Sequence, residues 1–471
     1  MKAETDKTLG VICAPQAVNQ RPRRPAAVAG KRQTAWLVLM AALTMIVFEG
    51  AFRKWVPGFG EGIGKYLAYF SKDIIFAALL LFPRRAGTSP ALTTFQHWLL
   101  PGCCLFGMGA FLSSLHGFDP VGAMLTVRTN IVLPVLALLA VPRLAGLPLR
   151  WPIRLLIALT LLNFALGVEQ NRLPAGHFLN RYAADTEIII STATGVRASG
   201  TFSYITGLTL MSSVGTWAGL ALMGLARTQR QRIGAWAAVA AGFGCGMASV
   251  SRGPIVIDLA MVLGWFFLSR ANITEVGRIL FSGIFCVVIA AGFGITPIFS
   301  DLGNGLLERT ENSEDTIQDR SFGQFGDIVT VFQSAPLGRG FGISQSGGVY
   351  AESGATDLNT FEGPLPRMIL ETGIIGLLGY FVVCAGALLA LQRAKRRAQN
   401  AGARAALLAT QLLFLPFYYG SVLFNHTASA FVWMIFAAVL AAAELNTKQD
   451  AMPPLGVRLN RSERLRLKRE A

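Results

Sequence analysis

Long apolar stretches recur along this chain from Ala35 almost to its end. Each has roughly 16 to 24 residues, about the length of an α-helix that crosses the hydrocarbon core of a bilayer. A membrane admits only helices and closed barrels, and a barrel would show short alternating strands instead. The chain is 53% hydrophobic and 14% charged, a composition typical of membrane proteins. The sequence therefore predicts an all-α, polytopic membrane protein.

Hydropathy predicts about twelve transmembrane helices in a bundle over residues 34–445. Residues 1–33 are polar and basic and lack the apolar core of a signal peptide, so we expect a disordered cytoplasmic tail there. Residues 446–471 form a second basic tail, also expected in the cytoplasm. The predicted spans are Ala35–Gly50, Tyr66–Phe82, Trp98–Leu115, Val121–Val141, Trp151–Gly167, Tyr204–Leu225, Ile233–Ser249, Pro254–Leu268, Ile279–Ile295, Met368–Leu391, Ala405–Gly420 and Ala428–Ala443.

The distribution of lysine and arginine sets the expected orientation. Basic residues cluster in both tails and in every second connection, whereas the opposite side carries far fewer of them, scattered among many acids. Positively charged loops resist translocation, so we expect both termini in the cytoplasm, as an even number of spans requires. The net charge of +16 is then mostly a topology signal, and it requires no nucleic-acid partner.

Two connections on the external side, 168–203 and 296–367, are much longer than ordinary turns. The second is a long loop between spans nine and ten, and long loops in compact proteins are often functional. Within it, the apolar residues of "TIQDRSFGQFGDIVTVF" predict an amphipathic helix at the external surface. The glycine-rich stretch "SAPLGRGFGISQSGG" follows, and either close approach of backbone to a ligand or a tight turn fits that composition.

Several arginines lie at or near the external starts of predicted helices. Arg197 precedes span six, and Arg252 opens span eight in "SRGP". Arg367 lies at the start of span ten, and Arg128 lies inside span four. Helix N-termini carry free amides, and guanidinium groups match phosphate oxygens, so a packed bundle would form a phosphate or pyrophosphate site here. The alternative is that each arginine caps a loop or pairs with a neighbouring acid.

Charged residues also border the first two spans, in "FEGAFRKW" and "YFSKDIIF". We expect these residues to pair with one another and with Arg128 inside the bundle, because ionisable groups within a membrane are costly when unpaired. A structural ion-pair cluster and a part in ligand binding both fit this pattern. The residues are Glu49, Arg53, Lys54, Lys72 and Asp73.

The segments "EGAFRKW", "YFSKD", "VRASGTFSYITG", "SRGP" and "ETGIIGLLGY", with the long external loop, resemble the O-antigen ligase and Wzy-type polysaccharide polymerase family of bacterial inner membranes. The resemblance runs from Phe48 to Tyr380 and rests on the order and topology of these segments. It implies an integral-membrane glycosyltransferase that takes glycan from an undecaprenyl-pyrophosphate carrier at the periplasmic face, without a nucleotide sugar, a cofactor or an obligatory metal. Membrane lipids and a chain-length regulator are the other implied partners.

The resemblance also implies roles for particular residues. Arg197 and Arg252 fall in stretches that match the family's arginine-bearing segments, and there they would offset charge on the departing pyrophosphate. Ligases of the family carry a histidine in the large loop shortly before span ten, whereas the corresponding stretch "DLNTFEGPLPRMILETG" has none. Glu362 is the expected substitute as general base, with pairing to Arg367 as the alternative and His426 as a second candidate base. The missing histidine favours a polymerase over a ligase.

A transporter or flippase for a lipid-linked glycan is the alternative from a different class of protein. Such a protein is expected to show broken helices or paired charges in mid-membrane, and two related halves. Related halves are not visible in this sequence, and its polar groups concentrate at one face beneath a long loop. The sequence therefore favours an enzyme that polymerises an exopolysaccharide or an O-antigen-like glycan.

Overall fold

A computed structural model describes residues 26–60, 62–84, 89–145, 148–183, 191–192, 195–269, 317–343, 364–419 and 426–450, and these ranges are predominantly helical. The expected all-α class is confirmed, with one two-residue hairpin in which β1 (Ser191–Thr192) pairs with β2 (Gly195–Val196). The helices are α1 (Ala26–Trp55), α2 (Gly62–Ala77), α3 (Pro90–Ser114), α4 (Pro120–Val127), α5 (Leu133–Leu144), α6 (Arg150–Arg172), α7 (Ile205–Leu225), α8 (Gln229–Ala248), α9 (Arg252–Leu268), α10 (Ile317–Ser334), α11 (Pro364–Arg397), α12 (Ala401–Tyr419) and α13 (His426–Asp450).

Each predicted span coincides with a helix except Ile279–Ile295, which lies outside the described residues. Helix α1 begins at Ala26, within the segment assigned from sequence to the N-terminal tail. Three shorter apolar helices, within α9, α12 and α13, accompany those that are long enough to span a membrane. Within the described part of the chain, six helical stretches are long and apolar enough to cross: Thr34–Trp55, Pro90–Ser114, Pro120–Leu144, Arg150–Arg172, Ile205–Leu225 and Leu365–Arg397.

The contacts between helix ends divide them into two groups. In one group, Arg150 Nη2 donates to the Leu225 carbonyl at 3.1 Å, and Trp265 Nε1 donates to the Ala405 carbonyl at 3.4 Å. The other group carries the segments 173–183, 195–204 and 335–343, and we call it the loop end. There Asn171 Nδ2 donates to the Ala248 carbonyl at 3.0 Å, which joins the end of α6 to the end of α8.

Glycines bring α3 and α11 together backbone to backbone. A Cβ at Gly109 would collide with the Thr372 carbonyl and the backbone of Gly376, and one at Gly102 would collide with the Gly379 carbonyl. Small residues at such positions are typical of helix pairs in membranes, because they allow the backbones to approach closely. The close pairing of α3 with α11 therefore depends on these glycines.

Replacing Gly109 with alanine is expected to force α3 away from α11 and to lower the free energy of unfolding by about 1–3 kcal/mol, the usual effect of overpacking. Gly107→Ala is the matched control, since a Cβ there meets no atom within 4 Å among the described residues. Thermal unfolding of the purified protein measures both. Equal melting temperatures for the two variants would contradict the close packing.

Two helical stretches are interrupted. A π-helical turn, Arg128–Val132, joins α4 to α5, and α11 is broken at Gly373, where φ is 65° and ψ is −177°. The break makes room for the segment after α10, since Ile374 N donates to the Pro336 carbonyl at 3.0 Å. A Cβ at Gly373 would also press on the backbone of Leu337, so glycine is required there by both conformation and space.

The expected amphipathic helix in the long loop is present as α10. Val331 is fully buried and Ile328 packs against the core, whereas Val329 and Phe332 are exposed. The segments 296–316 and 344–363 of this loop lie outside the described residues.

The described part of the glycine-rich stretch folds tightly against the turn between α3 and α4. Phe341 N donates to the Gly117 carbonyl at 2.8 Å, and Asp119 N donates to the Phe341 carbonyl at 3.0 Å. Gly342 has φ 87°, and a Cβ there would collide with Ala123 N. Of the two interpretations left open by the sequence, the tight turn is the one that these residues adopt.

Candidate functional site

A network of buried ion pairs joins α1 to α2 near the loop end. Glu49 accepts a hydrogen bond from Lys72 Nζ, and its other oxygen lies 3.5 Å from Arg53 Nη1. All three side chains are buried. Charges removed from water must be paired, because an isolated buried charge is very costly. The pairing expected from the sequence is confirmed for Glu49, Arg53 and Lys72, whereas it is wrong for Lys54, which contacts neutral oxygens in the described part of the chain.

Arg128, in the π-helical turn, forms a two-pronged pair with Asp73 of α2. Its Nε lies 2.5 Å from Asp73 Oδ2 and its Nη2 lies 2.9 Å from Oδ1, while Nη1 donates to the Tyr69 hydroxyl at 3.1 Å. Arg128 is only 4% exposed. Such bidentate pairs are strong and directional. The geometry supports the interpretation in which Arg128 balances a neighbouring acid.

The end of α4 and the π-helical turn that follows it contact two later helices. Thr126 Oγ1 donates to Glu371 Oε2 of α11 at 2.9 Å, and Ser429 Oγ of α13 donates to the Thr129 carbonyl at 3.2 Å. A π turn leaves some backbone carbonyls without their usual α-helical hydrogen bonds, so other side chains can donate to them. Such turns are frequent at functional sites. Four helical stretches, α2, α4–α5, α11 and α13, thus meet around Arg128.

Amide side chains of α6 hold the segment 196–203, "VRASGTFS", at the loop end. Gln170 Oε1 accepts from Gly200 N at 2.8 Å, and Asn163 Oδ1 accepts from Thr201 N at 2.9 Å. The backbone of this segment therefore has a fixed position relative to the bundle. That position determines where Arg197 can reach.

Lys54 reaches the same segment from the end of α1. Its Nζ donates to the Gly200 carbonyl at 2.6 Å and to Ser199 Oγ at 3.1 Å, both neutral acceptors. Lys54 is 7% exposed, and within the described ranges no acidic side chain forms an ion pair with it. These two bonds fix the end of α1 against the segment that carries Arg197.

Arg197 spans from this segment to the start of α9. Its Nη2 donates to Ser251 Oγ at 2.8 Å, and its Nε donates to the Ser249 carbonyl at 3.2 Å. Helix α9 begins at the next residue, Arg252, whose side chain lies outside the description. Arg197 thus contacts the residue that precedes Arg252, and a shared anion site of the two arginines stays a prediction.

The turn between α8 and α9 carries backbone strain. Val250, between the two residues that Arg197 contacts, has φ 49°, a conformation that β-branched residues rarely adopt. Strained residues of this kind persist where the surrounding contacts hold them, and they cluster at functional sites. The strain falls beside the proposed anion site.

Less of the structure is described around the other predicted site residues, Arg367, His426 and Glu362. Arg367 is partly buried in the first turn of α11. His426 begins α13, but its side chain is not described, and Glu362 lies outside the described residues. The described contacts therefore join Arg197 to the start of α9 and join Arg128 to Asp73, and the roles of Glu362 and His426 stay predictions.

An apolar cleft of about 520 Å³ lies beside the Arg128 pair. Its walls include Phe70, Phe118 and Phe341, and Asp73 and Arg128 provide its charged lining. The rings of Phe118 and Phe341 are 6.5 Å apart, so the glycine-rich turn contributes directly to the cleft. Apolar walls with a small number of polar groups are typical of sites for hydrophobic ligands.

Sequence reasoning missed one buried carboxylate. Asp258 lies in the apolar run "IVIDLAMV" of α9, is 0% exposed, and faces hydroxyl side chains of α7. The signal was present, because a single acid inside a membrane span is a candidate functional residue by default. The amides of α6 were missed as well, since nothing local in the sequence predicts which loop they hold.

Comparison with known proteins gives no family assignment: the chain matches no protein-family model and no curated protein.

Proposed function

We propose that this protein is a periplasm-facing polymerase of a bacterial inner membrane, with both termini in the cytoplasm. It transfers glycan from an undecaprenyl-pyrophosphate carrier to a lipid-linked repeat unit in exopolysaccharide or O-antigen biosynthesis. The observation that carries the proposal is the contact of Arg197 with the start of α9, beside the buried Lys54. A guanidinium and a helix N-terminus at one end of a bundle suit a pyrophosphate.

In the proposed reaction, a hydroxyl of the acceptor attacks the anomeric carbon of the donor glycan. The bond between that carbon and the pyrophosphate oxygen breaks, the acceptor's proton passes to a base, and the pyrophosphate leaves with an added negative charge. Groups that bind this charge more strongly as it develops lower the barrier. We assign that role to Arg197 and Arg252, with Arg367 as a further contact.

The carrier's hydrocarbon chain also needs a site, and we assign part of it to the apolar cleft beside Arg128. Phe70 and Met124 supply apolar walls there, and the Arg128–Asp73 pair keeps the charge of this region balanced. The proposal thus gives Arg128 a supporting role near the lipid, while Arg197 contacts the diphosphate.

Replacing Glu362 with glutamine is expected to slow transfer by about 10²–10⁴-fold if Glu362 is the general base. Transfer is measured with purified lipid-linked repeat units and membranes that contain equal amounts of each variant. Asp357→Asn, a change to another acid of the same loop, is the matched control and is expected to leave turnover unchanged. Unchanged turnover in Glu362→Gln would give the role to His426 or to solvent.

Two alternative functions remain to be tested against the polymerase. A ligase would transfer finished glycan to lipid A core, and a transporter would move a lipid-linked glycan across the membrane. Specific features favour the transporter: the break at Gly373, the π turn at Arg128 and the buried Asp258 are of the kind found in transport pathways.

A deletion strain distinguishes the three functions. Loss of a polymerase is expected to leave undecaprenyl-linked single repeats on the periplasmic side, and loss of a ligase is expected to leave long polymer unattached to lipid A core. Retention of the lipid-linked repeat on the cytoplasmic side would indicate a transporter and would contradict the proposal.

A further inference from the structure

The carboxylate of Asp258 lies in a cluster of oxygen atoms between α7, α8 and α9. Ser212 Oγ contacts both Asp258 Oδ2 and the Gly242 carbonyl, the latter at 2.8 Å. The side chains of Ser213 and Thr216 also lie near the carboxylate. Asp258, Ser212 and Thr216 are 0% exposed. The cluster is therefore closed off from solvent.

Two of the oxygens in this cluster have no hydrogen-bond partner among the described residues. The Ser212 hydroxyl carries one proton and touches two acceptors, so it can donate to only one of them at a time. Asp258 Oδ1 and Thr216 Oγ1 are both buried without a hydrogen-bond partner among the residues that the structure describes. Buried polar atoms in native proteins are almost always satisfied, so these two oxygens indicate a missing partner, and a bound cation is one such partner.

No such group comes from the described part of the protein. Its ion pairs involve Glu49 and Asp73, and none reaches Asp258. Asp258 lies six residues into α9, about 9 Å from the start of the helix. Its neighbours along α9 are apolar, and a carboxylate in such surroundings is costly unless a proton or a cation neutralises it.

We propose that this cluster binds a sodium ion. Its ligands are the carboxylate of Asp258, the hydroxyl oxygens of Ser212, Ser213 and Thr216, and the carbonyl of Gly242. All of these are oxygen ligands, which hard cations prefer, and the single carboxylate matches one positive charge. Groups of three or more His, Cys, Asp or Glu side chains suited to a transition metal are absent from the described residues.

The backbone at the cluster is shaped by glycine. A Cβ at Gly242 would approach the Ser212 carbonyl and Thr216 Oγ1 to 2.7 Å, so a larger residue would push α8 away from α7. Gly246 occupies the corresponding position one turn later, near Ser212 Oγ. These glycines keep the Gly242 carbonyl within reach of the hydroxyls on α7.

Sodium at this site would tie α7 to α9 just below the start of α9. That start carries Ser251, to which Arg197 donates a hydrogen bond. An ion that fixes α9 would therefore also fix the helix N-terminus at the loop end. The inference itself does not depend on the proposed function, because it rests only on the oxygen cluster.

Thermal unfolding of the purified full-length protein tests the proposal. Sodium chloride is titrated against choline chloride at constant ionic strength, and potassium chloride is tested in the same way. We expect a saturable rise of several degrees in the melting temperature with sodium and a much smaller rise with potassium or choline, since a ligand that binds only the folded state stabilises it. Equal rises with all three salts would overturn the proposal.

Two near-isosteric variants and one control locate the effect. Asp258→Asn and Thr216→Val are expected to lose the sodium-dependent shift, whereas Thr160→Val removes a buried hydroxyl of α6 outside the cluster and is expected to keep it. A full shift in Asp258→Asn would overturn the proposal. If Asp258→Asn does not fold, the proposal is tested with Thr216→Val and with direct binding of radioactive sodium to the wild type. The absence of saturable sodium binding would overturn the proposal.

The same measurement separates this inference from the proposed function. Arg197→Glu is expected to lose transfer activity and to keep the sodium-dependent shift. Loss of both in that variant would show that the ion does not bind independently at Asp258. Retention of transfer in Arg197→Glu would count against the polymerase mechanism and leave the sodium site standing.

Discussion

Replacing Arg197 with glutamate is expected to reduce polymer formation by about 10²–10³-fold or more, the usual loss when a group that stabilises developing charge is removed. Arg197 is held against the start of α9 by its bonds to Ser249 and Ser251. Its positive charge therefore lies where we place the pyrophosphate, and a carboxylate there would repel the leaving group. The amount of protein in the membrane is expected to stay near that of the wild type.

Arg339→Glu is the matched control for this change. Arg339 lies at the same end of the bundle with an exposed side chain, and its described backbone contact is to Leu370 of α11, so the substitution alters the net charge by the same amount without removing a contact to α9. Chain length of the polymer is measured on gels, and protein amount is measured through an affinity tag. Normal polymer in Arg197→Glu, or equal losses in both variants, would contradict a specific role for Arg197.

Replacing Asp73 with leucine is expected to destabilise the protein by about 3–5 kcal/mol, because it leaves the buried charge of Arg128 without its partner. The Asp73 carboxylate accepts two hydrogen bonds from the guanidinium, and the Tyr69 hydroxyl is too weak an acceptor to replace it. A loss of this size is a large fraction of the free energy of unfolding of a typical domain. Membrane yield and melting temperature are both expected to fall.

The double variant Asp73→Leu with Arg128→Met distinguishes a structural pair from a ligand-binding residue. Replacing both members of a buried pair with apolar residues of similar size is often neutral for stability. We expect the double variant to recover the melting temperature of the wild type and to keep most of its transfer activity. Recovery of stability without activity would contradict the structural interpretation and would place Arg128 in direct contact with the lipid-linked substrate.

The helical fold could be predicted because its signals are local. Apolar runs of spanning length, Ser89 and Asp119 before prolines, and basic residues between runs all act within a few residues along the chain. The pairing of Glu49 with Lys72 and of Asp73 with Arg128 followed from the cost of unpaired charge in a membrane.

The interruptions and the long-range contacts could not be predicted in the same way. The break at Gly373 depends on its contact with the segment that contains Pro336, which comes well before α11 in the sequence. A glycine inside a helix does not reveal which segment will pack against it. Nor does any local pattern show that Lys54 would donate to Gly200, or that Gln170 would hold the same segment. Contacts of this kind depend on which helices pack against each other, and a single sequence contains no local pattern that predicts those neighbours.

Binding of undecaprenyl pyrophosphate to the purified protein in lipid nanodiscs tests the central proposal most directly, because it requires no assumption about the acceptor or the general base. Arg197→Ala is compared with Arg339→Ala, and each keeps its own backbone contacts. We predict that Arg197→Ala weakens binding by about tenfold or more, the value expected for a lost charge-assisted hydrogen bond, while Arg339→Ala binds like the wild type. Equal affinity in all three proteins would contradict a pyrophosphate site at the start of α9.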